Sequence, residues 1–156
     1  QKILDMMKKQ NTVENNYRAI KIAQEAGLVV IGYFMIGFPG ETIDTINESI
    51  EFIKKSKIDQ AQFYTFVPLP GCDVYKNPKQ YGVKIISSNF SDYYLVTGRD
   101  GLGGKTVETS AMGADELQNQ MKRIRQFLKE RGFRGKTQDY YKEKLQYKEL
   151  EKGDIK

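Results

Sequence analysis

The apolar positions change their period along the chain, and each change marks an element. From Val13 to Ala26, the residues Val13, Tyr17, Ile20 (or Ala19), Ala23 and Ala26 recur at helical spacing. Thr12 stands where an N-cap is needed, and Gly27 supplies a left-handed stop. Leu28 to Phe38 follows as an unbroken apolar and glycine run, which predicts a strand buried on both faces, as in a parallel sheet covered by helices. Val30, Gly32, Phe34 and Ile36 fall on one side of it, and Val29, Ile31, Tyr33, Met35 and Gly37 on the other. The alternation does not say which side meets the core. From Thr42 to Lys55 the period returns to helical, with Ile43, Ile46, Ile50 and Ile53 on one face and Asp44, Glu48, Glu51 and Lys55 on the other. Ser56 to Ile58 then leads to a second strand, Gln60 to Val67, rich in aromatic and β-branched residues. Strand, helix and strand predict one right-handed parallel βαβ unit.

Both strands end in turn residues. The first runs into Gly37-Phe38-Pro39-Gly40-Glu41 and the second into Val67-Pro68-Leu69-Pro70-Gly71. In parallel α/β sheets ligands sit at the carboxyl ends of the strands, so any function is sought at these two turns. A structural reading competes: glycines permit the tight turn, Pro39 fixes one dihedral, and Glu41 with Thr42 caps the next helix.

Outside this unit the pattern is weaker. Ile3 to Lys9 reads as a short helix or the end of one. Asp73 to Tyr94 reads as an irregular excursion with an edge strand near Val83 to Ile86, and Gly98 to Gly104, with four glycines in seven residues, as a mobile loop. Leu117, Met121, Ile124 and Leu128 define a third amphipathic helix from about Ala114 to Arg131, stopped at Gly132-Phe133. The stretch from Lys136 onward, with Tyr140, Tyr141, Leu145 and Leu150 among many charges, is a peripheral helix or partly disordered.

Composition narrows the chemistry. Among 156 residues there is no histidine, hence no imidazole base and no histidine metal ligand. The single cysteine, Cys72, excludes an intrachain disulfide and a cysteine cluster built from this chain alone; it could be reactive, but a lone cysteine with no histidine partner reads as an ordinary residue. The net charge of +5 is interleaved with acidic residues from Lys122 to Lys156, which reads as a solvated helix surface with no strong nucleic-acid signal. Gly98 to Lys105 lacks the spacing of a phosphate-binding loop. Tyr64, Gln62 and Glu41 could each face a pocket or serve packing and capping. No apolar run reaches the roughly 18 residues of a membrane span and nothing resembles a signal peptide, so a soluble, cytoplasmic protein is expected. The sequence opens at Gln1 inside helical pattern, which is expected of a piece of a longer protein.

Several stretches in order and spacing carry a resemblance. They are Ile3-Leu4-Asp5-Met6-Met7-Lys8-Lys9, Ala26-Gly27-Leu28, Tyr33 through Thr42 (YFMIGFPGET), and Phe63 through Gly71 with Val74-Tyr75. Together they resemble the second half of a radical S-adenosylmethionine domain, in the branch of cobalamin-binding radical enzymes and methylthiotransferases. The resemblance covers residues 1 to about 76 and extends more loosely over Asn89 to Phe127. It implies an α/β fold: the C-terminal part of a partial (βα)6 TIM-like barrel, parallel strands with covering helices, followed by C-terminal helices. The division it implies is residues 1–76 as barrel, 77–112 as an irregular excursion with a Gly-rich loop, and 113–156 as a helical region. It further implies that Ile36 and Gly37 lie near the adenosyl group of S-adenosylmethionine, with Gly40 at the same turn and Val67 and Pro68 bordering the adenine.

That family's chemistry requires three cysteines in a Cys-x-x-x-Cys-x-x-Cys loop to hold a 4Fe-4S cluster, and the sequence has no such loop. The expectation is therefore a C-terminal fragment of a radical iron-sulfur enzyme of the Fe-S oxidoreductase type, inactive alone, with no catalytic residue and no metal ligand of its own. The cluster, and cobalamin in the branch that uses it, would be held by the missing N-terminal half. Two other readings stand beside it: a non-catalytic α/β binding or partner-interaction module, and an unrelated βα fragment of ordinary metabolism. Two parallel strands with open edges also predict self-association when the piece is alone.

Overall fold

The computed structural model describes residues 1–93 and 105–133. The predicted Gly-rich loop at 98–104 and the stretch from Lys136 lie outside the described residues. The elements in chain order are α1 (Lys2–Met6), α2 (Val13–Glu25), β1 (Ile31–Ile36), α3 (Ile43–Ser56), β2 (Gln60–Thr65), α4 (Asp73–Lys76), β3 (Val83–Ile85), β4 (Val107–Thr109) and α5 (Ala114–Glu130). No helix among them is long and apolar enough to cross a membrane.

The central unit is the predicted one: β1 and β2 pair in parallel, Ile31 opposite Gln60 through Ile36 opposite Thr65. Both ends of the register are pinned. At the start, the Val30 N–H donates to the Asp59 carboxylate at 2.8 Å while the Val30 carbonyl accepts from Asp59 and Gln60 N–H. At the end, Phe66 N–H donates to the Ile36 carbonyl at 2.7 Å. The strand is shorter than the apolar run that predicts it, because residues 26–30 form the helix-to-strand connection.

The helix stops and starts follow local chemistry. At α2, Gly27 has φ +73° and the Leu28 N–H reaches back to Ala23, closing a left-handed C-terminal motif. The same motif ends α5, where Gly132 is followed by Phe133 bonded to the Leu128 carbonyl. Thr12 Oγ1 accepts from Asn15 N–H at 3.0 Å, as predicted for an N-cap. Thr42 caps α3 reciprocally with Thr45, each hydroxyl accepting from the other's backbone N–H. Thr42→Ala should cost about 1 kcal/mol of stability, measured as a lower urea midpoint with an unchanged slope.

The core lies on one side of the sheet. Ile36, Ala61 and Phe63 from the strands meet Ile46, Ile50 and Ile53 of α3 and Leu117, Met121 and Ile124 of α5. Phe34 stacks on Phe63 at 4.8 Å between ring centroids. Thus α5, placed with a separate helical region in the sequence, shares the core of the βαβ unit, and Arg123 also donates to Asn47 of α3 at 2.7 Å.

The predicted burial of β1 on both faces is not observed. Gly32, Phe34 and Ile36 turn to the core, whereas Tyr33 is 65% exposed and Met35 39%. Only one layer of helices covers the sheet among the described residues. The stretch after Gly71 is also less irregular than the sequence suggests. Its Val83–Ile85 run pairs antiparallel with Val107–Thr109, a partner whose residues are too few to signal a strand alone. This small sheet packs Val83 and Val107 against Phe66 and Phe38, and so sits over the end of β2.

Candidate cofactor site

The carboxyl ends of β1 and β2 lie side by side because the parallel register places Ile36 beside Thr65. The five residues singled out by the resemblance lie at these two strand ends and in the turns that follow them. Their side chains, however, point into packing. Ile36 is fully buried in the core, Val67 is buried, and Pro68 is among the fully buried residues. Gly37 has φ +82°, and a Cβ there would lie 2.8 Å from Leu117 Cδ2; Gly40 has φ +84° and sits beneath Met6 of α1. What these five residues offer a ligand is backbone and shape rather than functional groups.

Glu41 departs from its predicted role. Thr42 and Thr45 perform the capping, and the Glu41 side chain turns back instead, accepting from Gly37 N–H at 2.5 Å. Its own N–H donates to the Phe38 carbonyl at 2.9 Å. The carboxyl group is thereby tied to the turn it follows and is 3% exposed. Burial pushes its pKa up to about 7, against the opposing effect of hydrogen bonds from the Gly37 and Phe38 backbone. The sequence gives no sign of this, since a glutamate before a Thr-capped helix fits the helix dipole equally well.

The open face of the sheet carries a group that the sequence leaves ambiguous. Tyr33 and Met35 project there from β1, and Gln62 and Tyr64 from β2 by the same alternation. The tyrosine rings lie 6.0 Å apart and 30° from parallel. Tyr64 donates its hydroxyl hydrogen to Gln62 Oε1 at 2.6 Å. Burial first, and the neighbouring Tyr33 second, hold the Tyr64 phenol above its ordinary pKa. Tyr33, Met35 and Tyr64 line a groove of about 1160 Å³ that continues round β1 to α1, α2 and α3, with Glu41 on its wall.

Cys72 takes a structural part: its Sγ accepts from Tyr75 N–H at 3.4 Å and caps α4. Among the described residues no group of three or more acidic, cysteine or histidine side chains could hold a metal ion.

The profile of the Radical SAM superfamily matches residues 1–53, which hold α1, α2, β1, the glycine turn and most of α3. Residues 1–53 are thus similar to the radical SAM superfamily. Proteins similar to the chain include an anaerobic magnesium-protoporphyrin IX monomethyl ester cyclase of Rubrivivax gelatinosus. That protein is 28% identical over 131 residues, covering 83% of this chain and 22% of the relative. An uncharacterized methyltransferase of Pyrococcus horikoshii is 41% identical over 70 residues, 45% of this chain and 15% of the relative. A ribosomal protein uS12 methylthiotransferase RimO of Pectobacterium atrosepticum is 31% identical over 91 residues, 57% of this chain and 21% of the relative. The chain thus spans about a fifth of the length of these curated relatives. No solved structure matches it.

Proposed function

We propose that the chain is a C-terminal part of a radical S-adenosylmethionine enzyme's partial (βα)6 barrel and forms one border of the cofactor pocket. The observation that supports this is the alignment of the two strand ends, which sets the Gly37–Gly40 turn beside Val67 and Pro68 at the carboxyl edge of a parallel sheet. Gly37 and Gly40 hold the turn at positive φ, with Leu117 and Met6 packed against them. Ile36 and Val67, buried beneath it, fix its height. The Gly37 N–H is engaged by Glu41, so this edge would meet the adenosine through shape and apolar contact, without that donor.

The residues present do not fit a 4Fe-4S cluster, which needs three thiolates where this chain has one cysteine, itself engaged in capping α4. The cluster, and cobalamin if the parent belongs to that branch, would be held by another part of the parent protein. When bound, S-adenosylmethionine supplies the carbon radical on which such chemistry depends. This chain's share is to position and to exclude water. The chain by itself is accordingly inactive.

The test is equilibrium dialysis and reductive cleavage of S-adenosylmethionine by the cluster-loaded parent protein and by this chain. The expected result is binding and cleavage by the parent, with Gly40→Val weakening binding about 10-fold or more, since a β-branched residue at positive φ distorts the turn. Cleavage by the chain alone, or unchanged binding in the folded Gly40→Val parent, would overturn the reading.

A further inference from the structure

We infer that Tyr33 and Tyr64, on the face of the sheet opposite the core, form a stacking platform for the flat conjugated ring of the parent enzyme's substrate. The inference rests on the proposed function, which turns this face toward the inside of a barrel, and adds to it the chemical class of the substrate.

The two faces of the sheet differ in chemistry. The core face is mainly hydrocarbon, with Phe34 and Ile36 from β1 and Ala61 and Phe63 from β2. On the open face stand Tyr33, Met35, Gln62 and Tyr64. Packing against protein alone is served better by hydrocarbon, because each hydroxyl or amide taken from water must find a partner there. Tyrosine, methionine and glutamine instead combine flat or polarizable area with a few hydrogen-bonding atoms, which is the composition of small-molecule sites. In the parallel register Tyr33 lies opposite Gln62, and Met35 opposite Tyr64. The two tyrosines are therefore diagonal neighbours on adjacent strands.

The pair is held in place and left open at one member. Tyr64 donates its hydroxyl hydrogen to Gln62 Oε1 at 2.6 Å, which restrains its ring. The Tyr33 ring lies 6.0 Å from that of Tyr64 and 30° from parallel, yet Tyr33 is 65% exposed. Much of its surface is thus free for a third ring, added in the offset geometry that aromatic groups prefer. Met35 follows on the same face of β1, and its thioether is a second soft contact for a conjugated system. The location suits a substrate. Tyr33 stands three residues before the end of β1 and Tyr64 one residue before the end of β2. Those steps are about 10 Å and about 3 Å along the strands, so a ring stacked on Tyr33 lies next to the turns assigned to the cofactor without occupying them.

NMR of isotope-labelled tyrosine rings tests this in the parent protein and in this chain, with two probes of one carbon skeleton, flat 2-naphthol and puckered trans-2-decalol. In both proteins 2-naphthol should move the Tyr33 ring signals upfield, in the parent also with saturating S-adenosylmethionine present, and trans-2-decalol should bind about 5-fold more weakly or worse. Tyr33→Leu should weaken 2-naphthol binding about 5-fold, while Tyr33→Phe, which keeps the ring, should leave it unchanged. Tyr33 signals that do not move, or equal affinity for the two probes, would overturn the inference, since the face would then not select a flat ring. Loss of the shifts on adding S-adenosylmethionine would overturn it by giving the platform to the cofactor's adenine. Shifts in this chain but not in the parent would also overturn it, because the parent's own polypeptide would then cover the rings. Shifts in a parent that neither binds nor cleaves S-adenosylmethionine would uphold the platform and reject the functional reading.

Discussion

Glu41→Gln should flatten the dependence of stability on pH between about pH 5 and pH 8 and make the fold more stable at the alkaline end. The native carboxyl has a pKa of about 7 against an ordinary 4.5, with burial as the largest cause. The folded state therefore holds a proton that the unfolded chain releases, and stability falls as pH rises from the unfolded value through the native one. The whole contribution is about 3 kcal/mol, absent below the unfolded pKa and fully expressed as a cost above the native pKa. Glutamine keeps an oxygen that can accept from Gly37 N–H but carries no charge into the interior. It should gain about 1–2 kcal/mol at pH 8, the remainder being lost to an amide group without a second partner. Glu41→Ala also removes the titration but leaves the Gly37 N–H unpaired, so relative to wild type it should lower stability by about 2 kcal/mol at pH 5 and lose that deficit as the pH rises to 8. Urea unfolding at three pH values distinguishes these outcomes. A wild-type midpoint that stays constant, or rises, from pH 5 to pH 8 would remove the buried carboxyl from this account.

Gly37→Ala should be the most damaging single methyl addition in the βαβ unit. Two costs combine: φ of +82° is a conformation that alanine adopts only with strain of about 1–2 kcal/mol, and its Cβ would lie 2.8 Å from Leu117 Cδ2. Relieving the overlap requires α5 to shift or Leu117 to leave its rotamer, at about 1–3 kcal/mol. A loss of about 2–5 kcal/mol is expected in total. The double variant separates the terms. Leu117→Ala alone opens a cavity in the core and should cost about 2–5 kcal/mol. In combination with Gly37→Ala it should recover the overlap part and not the backbone strain, giving a coupling of about 1 kcal/mol or more by a double-mutant cycle. Strict additivity would mean that Leu117 does not press on the turn. The position thus links the candidate pocket edge directly to the helix that closes the core.

The elements with a strong period were legible in the residues. Isoleucines at a three-four-three spacing place α3, and the core confirms three of them, while Ile43 at the first turn stays exposed. Caps at Thr12, Thr42, Gly27 and Gly132 are local chemistry and could be read directly. The resemblance, carried by the turn that follows β1, was likewise legible, and the superfamily match over residues 1–53 agrees with it. Three features were not. The pairing of β3 with β4 joins residues about 24 positions apart through a register that neither triplet encodes. The inward turn of Glu41 depends on whether solvent or core surrounds the loop. The exposure of Tyr33 and Met35 depends on what covers the second face of the sheet.

The run from Leu28 to Phe38 shows the division most clearly. Its residues by themselves determined that a strand forms, that a helix precedes and follows it, and that it ends in a glycine turn, since these depend on dihedral preference and on apolar spacing within a few residues. Only the tertiary structure decided which face is core, because Phe34 could be assigned inward only by its stack on Phe63, a residue of the next strand. Only it decided that the Glu41 carboxyl is spent on the turn, because burial is a property of the whole packed layer. And only it left β1 with one strand neighbour among the described residues, because an edge is defined by the neighbours a strand has, which its own residues do not specify.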